Sequence, residues 1–229
     1  MDIFGLALTD YYQNKTTEIL WLHNNYGEEE EMPVDVFFRE QNDFPELENK
    51  ALTLCRGSIL DIGAGVGSHA LMLQEREKLV FALELSAAAC AIMQQRGTQN
   101  IINEDIFHYQ TRKFDTLILL MNGIGLCGNL NGLKNFLTHA KSLLNIGGQL
   151  IFDSSDIAYL YEDIEMPEEK YYGEIAYQYE YKNQKGDWFN WLYIDQQTLT
   201  NIANEIGWRC EIIFEDDMDQ YLAKLTPID

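Results

Sequence analysis

The stretch Ile59-Leu60-Asp61-Ile62-Gly63-Ala64-Gly65-Val66-Gly67-Ser68 restricts the fold of this chain more than any other part of it. An apolar run that ends in an acid and gives way to alternate glycines reads as a strand entering a tight turn before a helix. Gly63 and Gly65 carry no Cβ, so the backbone turns sharply there and approaches a ligand closely. The spacing is G-x-G-x-G. A dinucleotide fingerprint carries its third small residue one place later, at Ser68, because a pyrophosphate needs amides converging at the helix start. Asp61, at the strand end, repels a pyrophosphate and suits an ammonium group.

From Ser58 onward short apolar runs alternate with amphipathic stretches. Strands are expected at Ser58–Ile62, Leu79–Glu84, Asn100–Asn103, Phe114–Met121 and Gln149–Asp153. Between them fall helices over Val66–Arg76, from a Ser86 cap to Gly97, and over Leu133–Leu144, the last ended by Gly147-Gly148. This alternation predicts βαβ units and an α/β fold, a doubly wound and mostly parallel sheet. A helix over Gln196–Ile206 and a strand pair, Trp208–Glu215 and Gln220–Leu225, follow. Residues 171–194 read as an inserted β-hairpin around Asn183-Gln184-Lys185-Gly186. In residues 1–56, apolar positions Leu8, Tyr11, Tyr12, Ile19 and Leu22 fit one helix over Leu6–Asn25. A loop at Glu28-Glu29-Glu30-Glu31 follows, then a second helix near Pro45 with Asp43 as its cap. The expected organisation is a helical N-terminal extension or lid (1–56) packed on one domain (57–229).

Sixteen Lys and Arg against thirty-seven Asp and Glu give a net charge of −21. That potential repels phosphate backbones, which makes nucleic acid an unfavourable partner and leaves a small molecule or a protein. Cys55, Cys90, Cys127 and Cys210 form no C-x-x-C pair and read as reduced core residues. With no basic n-region at Met1-Asp2-Ile3-Phe4 and no apolar run of membrane-spanning length, the expected location is cytoplasmic.

Two further acids stand in order after Asp61. Glu84 ends the second strand, where a carboxylate accepts both hydroxyls of a ribose. Asp105 follows the third strand, where it suits an exocyclic amine, with Ile106 against the ring. The order D-x-G-x-G-x-G, an acid ending strand two and an acid after strand three resembles the class I S-adenosylmethionine-dependent methyltransferases. The resemblance continues through Phe114–Gly123, similar to their fourth strand. It extends to Leu144-Asn145-Ile146-Gly147-Gly148-Gln149-Leu150, similar to an L-x-P-G-G-x-L turn with Ile146 in place of proline. It implies a Rossmann-like, seven-stranded sheet and S-adenosylmethionine as cofactor, with S-adenosylhomocysteine as product. It places Asp61 and the backbone of Gly63, Ala64, Gly65 and Gly67 at the methionine end. Glu84 falls on the ribose, Leu85, Asp105 and Ile106 on the adenine, and Asn122-Gly123 beside the amine and the open face of the sulfonium. The segment Asn122-Gly123-Ile124-Gly125 is not an N-P-P-Y motif, so adenine-N6 and glutamine-amide acceptors are not carried over.

Methyl transfer from a sulfonium is an in-line displacement from an activated donor, so alignment supplies much of the acceleration and no catalytic dyad is required. Tyr11, Arg39, His69, Asp153 and Asp156 are the candidate substrate-side or cofactor-carboxylate groups. Tyr11, Tyr12 and His23 would form a lid, Arg39 would meet the cofactor's carboxylate, and His69 lies in the first turn after the glycines. Ordinary packing, ion pairing and capping account for each of them too. The hairpin aromatics (Tyr177, Tyr179, Phe189, Trp191 and Tyr193 among them) either wall an acceptor pocket or stabilise the ribbon by cross-strand packing. His108 and His139 lack partners at metal-ligand spacing, and no metal is expected. An NAD-type oxidoreductase and a non-catalytic module binding S-adenosylmethionine or S-adenosylhomocysteine are the competing readings.

Overall fold

A computed structural model describes residues 1–15, 18–163 and 165–228. In chain order the elements are α1 (Ile3–Tyr12), β1 (Leu20–Asn24), β2 (Glu30–Met32), α2 (Glu46–Leu54), β3 (Ser58–Ile62) and α3 (Ser68–Glu75). Then come β4 (Leu79–Glu84), α4 (Ala87–Arg96), β5 (Ile101–Asn103), β6 (Phe114–Leu119), α5 (Leu130–Ser142) and β7 (Leu144–Ser155). The chain closes with β8 (Glu174–Tyr181), β9 (Gln184–Lys185), β10 (Phe189–Leu192), α6 (Gln196–Glu205), β11 (Trp208–Glu215) and β12 (Gln220–Pro227). Among the described residues no helix is long and apolar enough to cross a membrane.

The main sheet has seven strands in the order β11-β12-β7-β6-β3-β4-β5. Strands β3 to β7 run parallel; β12 returns antiparallel beside β7, and β11, antiparallel to β12, again runs with the parallel set at that edge. Central strands of such a sheet are covered on both faces, which is why β3 and β6 are nearly continuous apolar runs. Ile59, Leu60, Leu117, Ile118 and Leu119 are all fully buried. One face packs on α5 through Leu133, Phe136 and Leu137, and the other on α2, α3 and α4 through Ala51, Leu73 and Met93. The capping expectation for α4 is met: the Ser86 hydroxyl accepts the Ala89 amide at 3.1 Å, and Gly97 ends the helix at φ +98°. The order of strands turns back between β3 and β6, so the carboxyl ends of β3, β4, β5 and β6 meet at one rim.

A second, antiparallel sheet lies apart from the first, in the order β10-β8-β1-β2 with β9 on β8. Here the expected single helix over Leu6–Asn25, and with it a purely helical N-terminal extension, is corrected. The helix stops at Tyr12, Thr16 and Thr17 lie outside the described residues, and Leu20–Asn24 is a strand. Leu20 and Leu22 point inward on alternate positions while Trp21 and His23 are half-buried. Pairing with β8, in which Trp21 lies opposite Glu180 and His23 opposite Gln178, outweighs the helical spacing of those apolar residues. The acidic loop is also partly strand, since Glu30–Met32 pairs with β1. Asp43 does not cap α2. It closes a capping box with Glu40 on a short 3-10 turn, and Pro45 precedes the helix.

Candidate active site

A cavity of about 860 Å³ runs between the carboxyl rim of the parallel strands and the inner face of the second sheet. Its floor begins at Asp61, the fourth residue of β3, which is 2 % exposed. Burial pushes its carboxyl up to about 6, partly relieved by His69 and reinforced by Glu84. Its Oδ2 has no hydrogen-bond partner among the described residues. A buried, unpaired carboxylate oxygen is costly, and a cationic donor placed against it would remove that cost.

The glycine turn acts differently from a phosphate loop. The amides of Gly63 and Ala64 both donate to the Leu83 carbonyl, at 2.9 and 3.1 Å, and Gly67 donates to Ala64 at 2.8 Å. The Gly65 amide donates to Glu84 Oε2 at 2.9 Å. These donors are committed within the protein, so the loop does not aim converging amides at an anion. What it offers is space: a Cβ built on Gly63 or Gly65 would meet nothing within 4 Å, and both sit at positive φ (+70° and +56°). Gly67 is the exception. It does not line the cavity, and its Cβ would press on Met93 and Thr98, both at 2.9 Å, so its role is packing.

Glu84 accepts the Ser86 amide on Oε1 at 2.8 Å and the Gly65 amide on Oε2 at 2.9 Å. The two bonds fix the plane of the carboxylate at the rim, and each oxygen keeps a further lone pair. Burial raises its pKa, and the amide bonds oppose that rise. Asp105 lies further along the rim, accepting the Phe107 amide at 3.0 Å and pairing with His108 at 3.1 Å. Ile106 is buried beside it, and Leu85 is 71 % exposed at the mouth. Asn122 and Gly123 complete this side. Asn122 is held left-handed at φ +54°, its amide donating to Asp153 Oδ2 at 2.9 Å.

The second sheet supplies the opposite wall. Tyr177, Tyr179, Phe189, Trp191 and Tyr193 all line the cavity, so the hairpin aromatics do more than brace their ribbon. Gly125 leaves room for this wall, since a Cβ there would fall 2.0 Å from Trp191 Nε1.

At the methionine-side end expected from the sequence, a charged cluster joins two of the candidates. Arg39 donates through Nη2 to Glu48 Oε1 at 2.6 Å and through Nε to the Val36 carbonyl at 2.8 Å. His69 meets Glu48 Oε2 at 2.7 Å. Burial pushes the Glu48 carboxyl up, but its bonds to His69 and Arg39 outweigh that and hold it below its ordinary range. Both Arg39 and His69 reach the cavity wall. Glu48, which connects them, was not expected; a single acid in a helix carries no sequence signal of such a role.

Three candidates fall elsewhere. Tyr11 is 40 % exposed, packs on Phe38 with ring centroids 4.8 Å apart and does not reach the cavity. Asp153 is fully buried behind Asn122, which it orients instead of facing an acceptor. Asp156 accepts the Tyr172 hydroxyl and the Ala158 amide, and lines a separate acidic cleft. His23 pairs with Glu180 at 2.7 Å on the second sheet and does not line the cavity.

Comparisons with known proteins agree with this geometry. A family model described as a methyltransferase domain matches residues 60–152. The solved structure of a SAM-dependent methyltransferase from Bacteroides fragilis, in complex with S-adenosyl-L-homocysteine, is 39 % identical, with a TM-score of 0.92, covering 100 % of this chain and 95 % of that one. The sugar N-methyltransferase KedS8 from a Streptoalloteichus species is 15 % identical, with a TM-score of 0.60, covering 90 % and 97 %. CcbJ methyltransferase from Streptomyces caelestis is 11 % identical, with a TM-score of 0.64, covering 82 % and 94 %; these last two show likeness of fold alone. No curated protein matches the chain.

Proposed function

The chain belongs to the class I S-adenosylmethionine-dependent methyltransferases, and from that premise we propose that it methylates a small molecule held against the aromatic face of the second sheet. The enzyme's cofactor is S-adenosylmethionine. The residues fit that group on an observation independent of kinship: Asp61 lines the cavity, and its buried Oδ2 has no hydrogen-bond partner among the described residues, which a cationic donor would supply. Bound there, the cofactor supplies a methyl group activated by a positively charged sulfur.

The protein's own residues bind, orient and exclude water. Asp61 takes the ammonium, and the bare Cα surfaces of Gly63 and Gly65 let the chain lie close. The carboxylate of Glu84, fixed by two amides, accepts the ribose hydroxyls. Asp105, Ile106 and Leu85 hold the adenine edge and face. Arg39, with N–H groups beyond those given to Glu48 and Val36, meets the cofactor's carboxylate. Asn122 and Gly123, set by Asp153, shape the wall beside the transferring centre. Holding donor and acceptor in line is worth about 7–11 kcal/mol, enough to make alignment the principal contribution here.

The single observation that carries the small-molecule reading is the aromatic wall set opposite the strand rim. The strand rim and the aromatic sheet face each other across the cavity, which gives a two-walled cleft whose aromatic side suits a compact acceptor. The comparisons lend no support to an NAD-type oxidoreductase. The test is incubation with S-adenosylmethionine labelled in its methyl group and a cell extract, followed by ultrafiltration. Chromatography of the filtrate should resolve a labelled small molecule distinct from S-adenosylmethionine that forms only when the enzyme is present. Enzyme-dependent label found only in the protein fraction overturns a small acceptor.

A further inference from the structure

Three phenols form a chain through the second sheet. Tyr193 and Tyr177 line the cavity, and their hydroxyl oxygens lie 3.3 Å apart. The Tyr177 hydroxyl lies 3.4 Å from that of Tyr26, which does not line the cavity. The Tyr26 hydroxyl in turn donates to the carboxylate of Glu30, an exposed residue of β2. Burial raises the pKa of all three phenols, and Glu30 adds to the rise at Tyr26, so each keeps its proton at neutral pH.

The direction of the chain follows from proton counting. A carboxylate only accepts, and a phenol has one proton to give. Tyr26 gives its proton to Glu30, so its oxygen must accept from Tyr177. Tyr177 has then spent its proton, and its oxygen accepts from Tyr193. The oxygens of the two cavity-lining tyrosines are left with lone pairs and no free O–H. Successive bonds toward an anion also polarise one another and strengthen the terminal acceptor.

We propose that Tyr177 and Tyr193 are the acceptor-docking point of this enzyme, and that Glu30, acting through Tyr26 as a positioning residue, makes them accept-only. The methyl acceptor that fits is a protic nucleophile, one that presents an N–H or O–H to these oxygens beside the Trp191 and Phe189 rings. This inference rests on the methyltransferase reading above and adds the donor character of the substrate. A hydrogen bond from the nucleophile to a fixed oxygen also orients its remaining lone pair, which is what an in-line displacement needs.

The test uses two isomeric probes, benzyl alcohol, which carries an O–H, and anisole, which only accepts. Their binding is measured by ligand-observed NMR titration of the full chain, with and without S-adenosylhomocysteine. Binding of S-adenosylhomocysteine is measured separately by calorimetry, so failure of the cofactor reading registers there and not in the probe preference. The parent protein should prefer benzyl alcohol by about fivefold, the worth of one neutral hydrogen bond. Glu30→Lys places an obligate donor at the outer end. It should turn every hydroxyl around and shift the preference to anisole. In a Tyr26→Phe background the same Glu30→Lys change should leave the preference unaltered, because the chain is cut. Glu30 is exposed and far from the cofactor floor, so both variants should keep parental affinity for S-adenosylhomocysteine. Equal binding of the two probes to the parent, no binding of either, or a preference untouched by Glu30→Lys each overturn the proposal. So does an effect of Glu30→Lys that survives Tyr26→Phe.

Discussion

Asp61 links stability, pH and ligand binding in one side chain, and Asp61→Asn separates them. The carboxyl ionises near pH 6 in the fold against 3.8 for the free group, because burial penalises its charge. A carboxyl whose folded pKa is raised contributes stability that is complete below its unfolded pKa and is lost as pH rises through the folded value. The full penalty above the folded pKa is about 3 kcal/mol, at 1.36 kcal/mol per pKa unit. At pH 5 about half of it is present. The asparagine introduces an N–H₂ that lacks a protein partner, at a cost of about 1 kcal/mol. The cofactor-free variant should therefore exceed the parent by about 2 kcal/mol at pH 8, a Tm gain of about 4–8 °C for a chain of this size, and by much less at pH 5. The same change removes the anion proposed to meet the cofactor's ammonium, at a cost of about 1.5–3 kcal/mol, or tens of fold in Kd. Thermal scans at pH 5 and pH 8, with calorimetric titration of S-adenosylhomocysteine at pH 8, measure both effects. A variant no more stable than the parent at pH 8, or one that binds S-adenosylhomocysteine equally well, refutes the argument.

Glu84→Ala deletes the proposed ribose acceptor and leaves the Gly65 and Ser86 amides open, so titration should show S-adenosylhomocysteine bound more weakly by about 1–3 kcal/mol. An unchanged Kd removes Glu84 from the site. Glu48→Ala strands Arg39 and His69 without their shared carboxylate. Urea unfolding should record a loss of about 3–5 kcal/mol, and a loss under about 1 kcal/mol would mean that water screens this cluster.

The parallel core was legible because its rules are local. Ser58–Ile62 and Leu79–Glu84 stand as apolar runs between a glycine turn and capped helices, and both strands formed at those bounds. Asp61, Glu84 and Asp105 were legible for the same reason, since each ends or follows such a run and all three line the cavity. Leu20–Asn24 was misread because Leu8, Tyr11, Tyr12, Ile19 and Leu22 fit a helical repeat. The alternation of Leu20 and Leu22 with Trp21 and His23 was present, but its strand partner lies far along the chain: His23 and Glu180 are 157 residues apart. The roof over the cavity was hidden by the same distance. Only pairing with β1 and β2 turns the aromatic hairpin into a five-stranded sheet with a cavity-facing side. Likewise, the burial of Asp153 behind Asn122 depends on Gln220 of β12, whose Nε2 reaches its Oδ2 at 3.0 Å.

The seam between β1 and β8 joins the beginning of the polypeptide to a stretch near its far end. Synthesis therefore completes the strand-rim wall of the cavity before the hairpin that forms its opposite wall has emerged. On the proposed reading, acceptor recognition is therefore spread over two stretches remote in sequence instead of being held in one cassette.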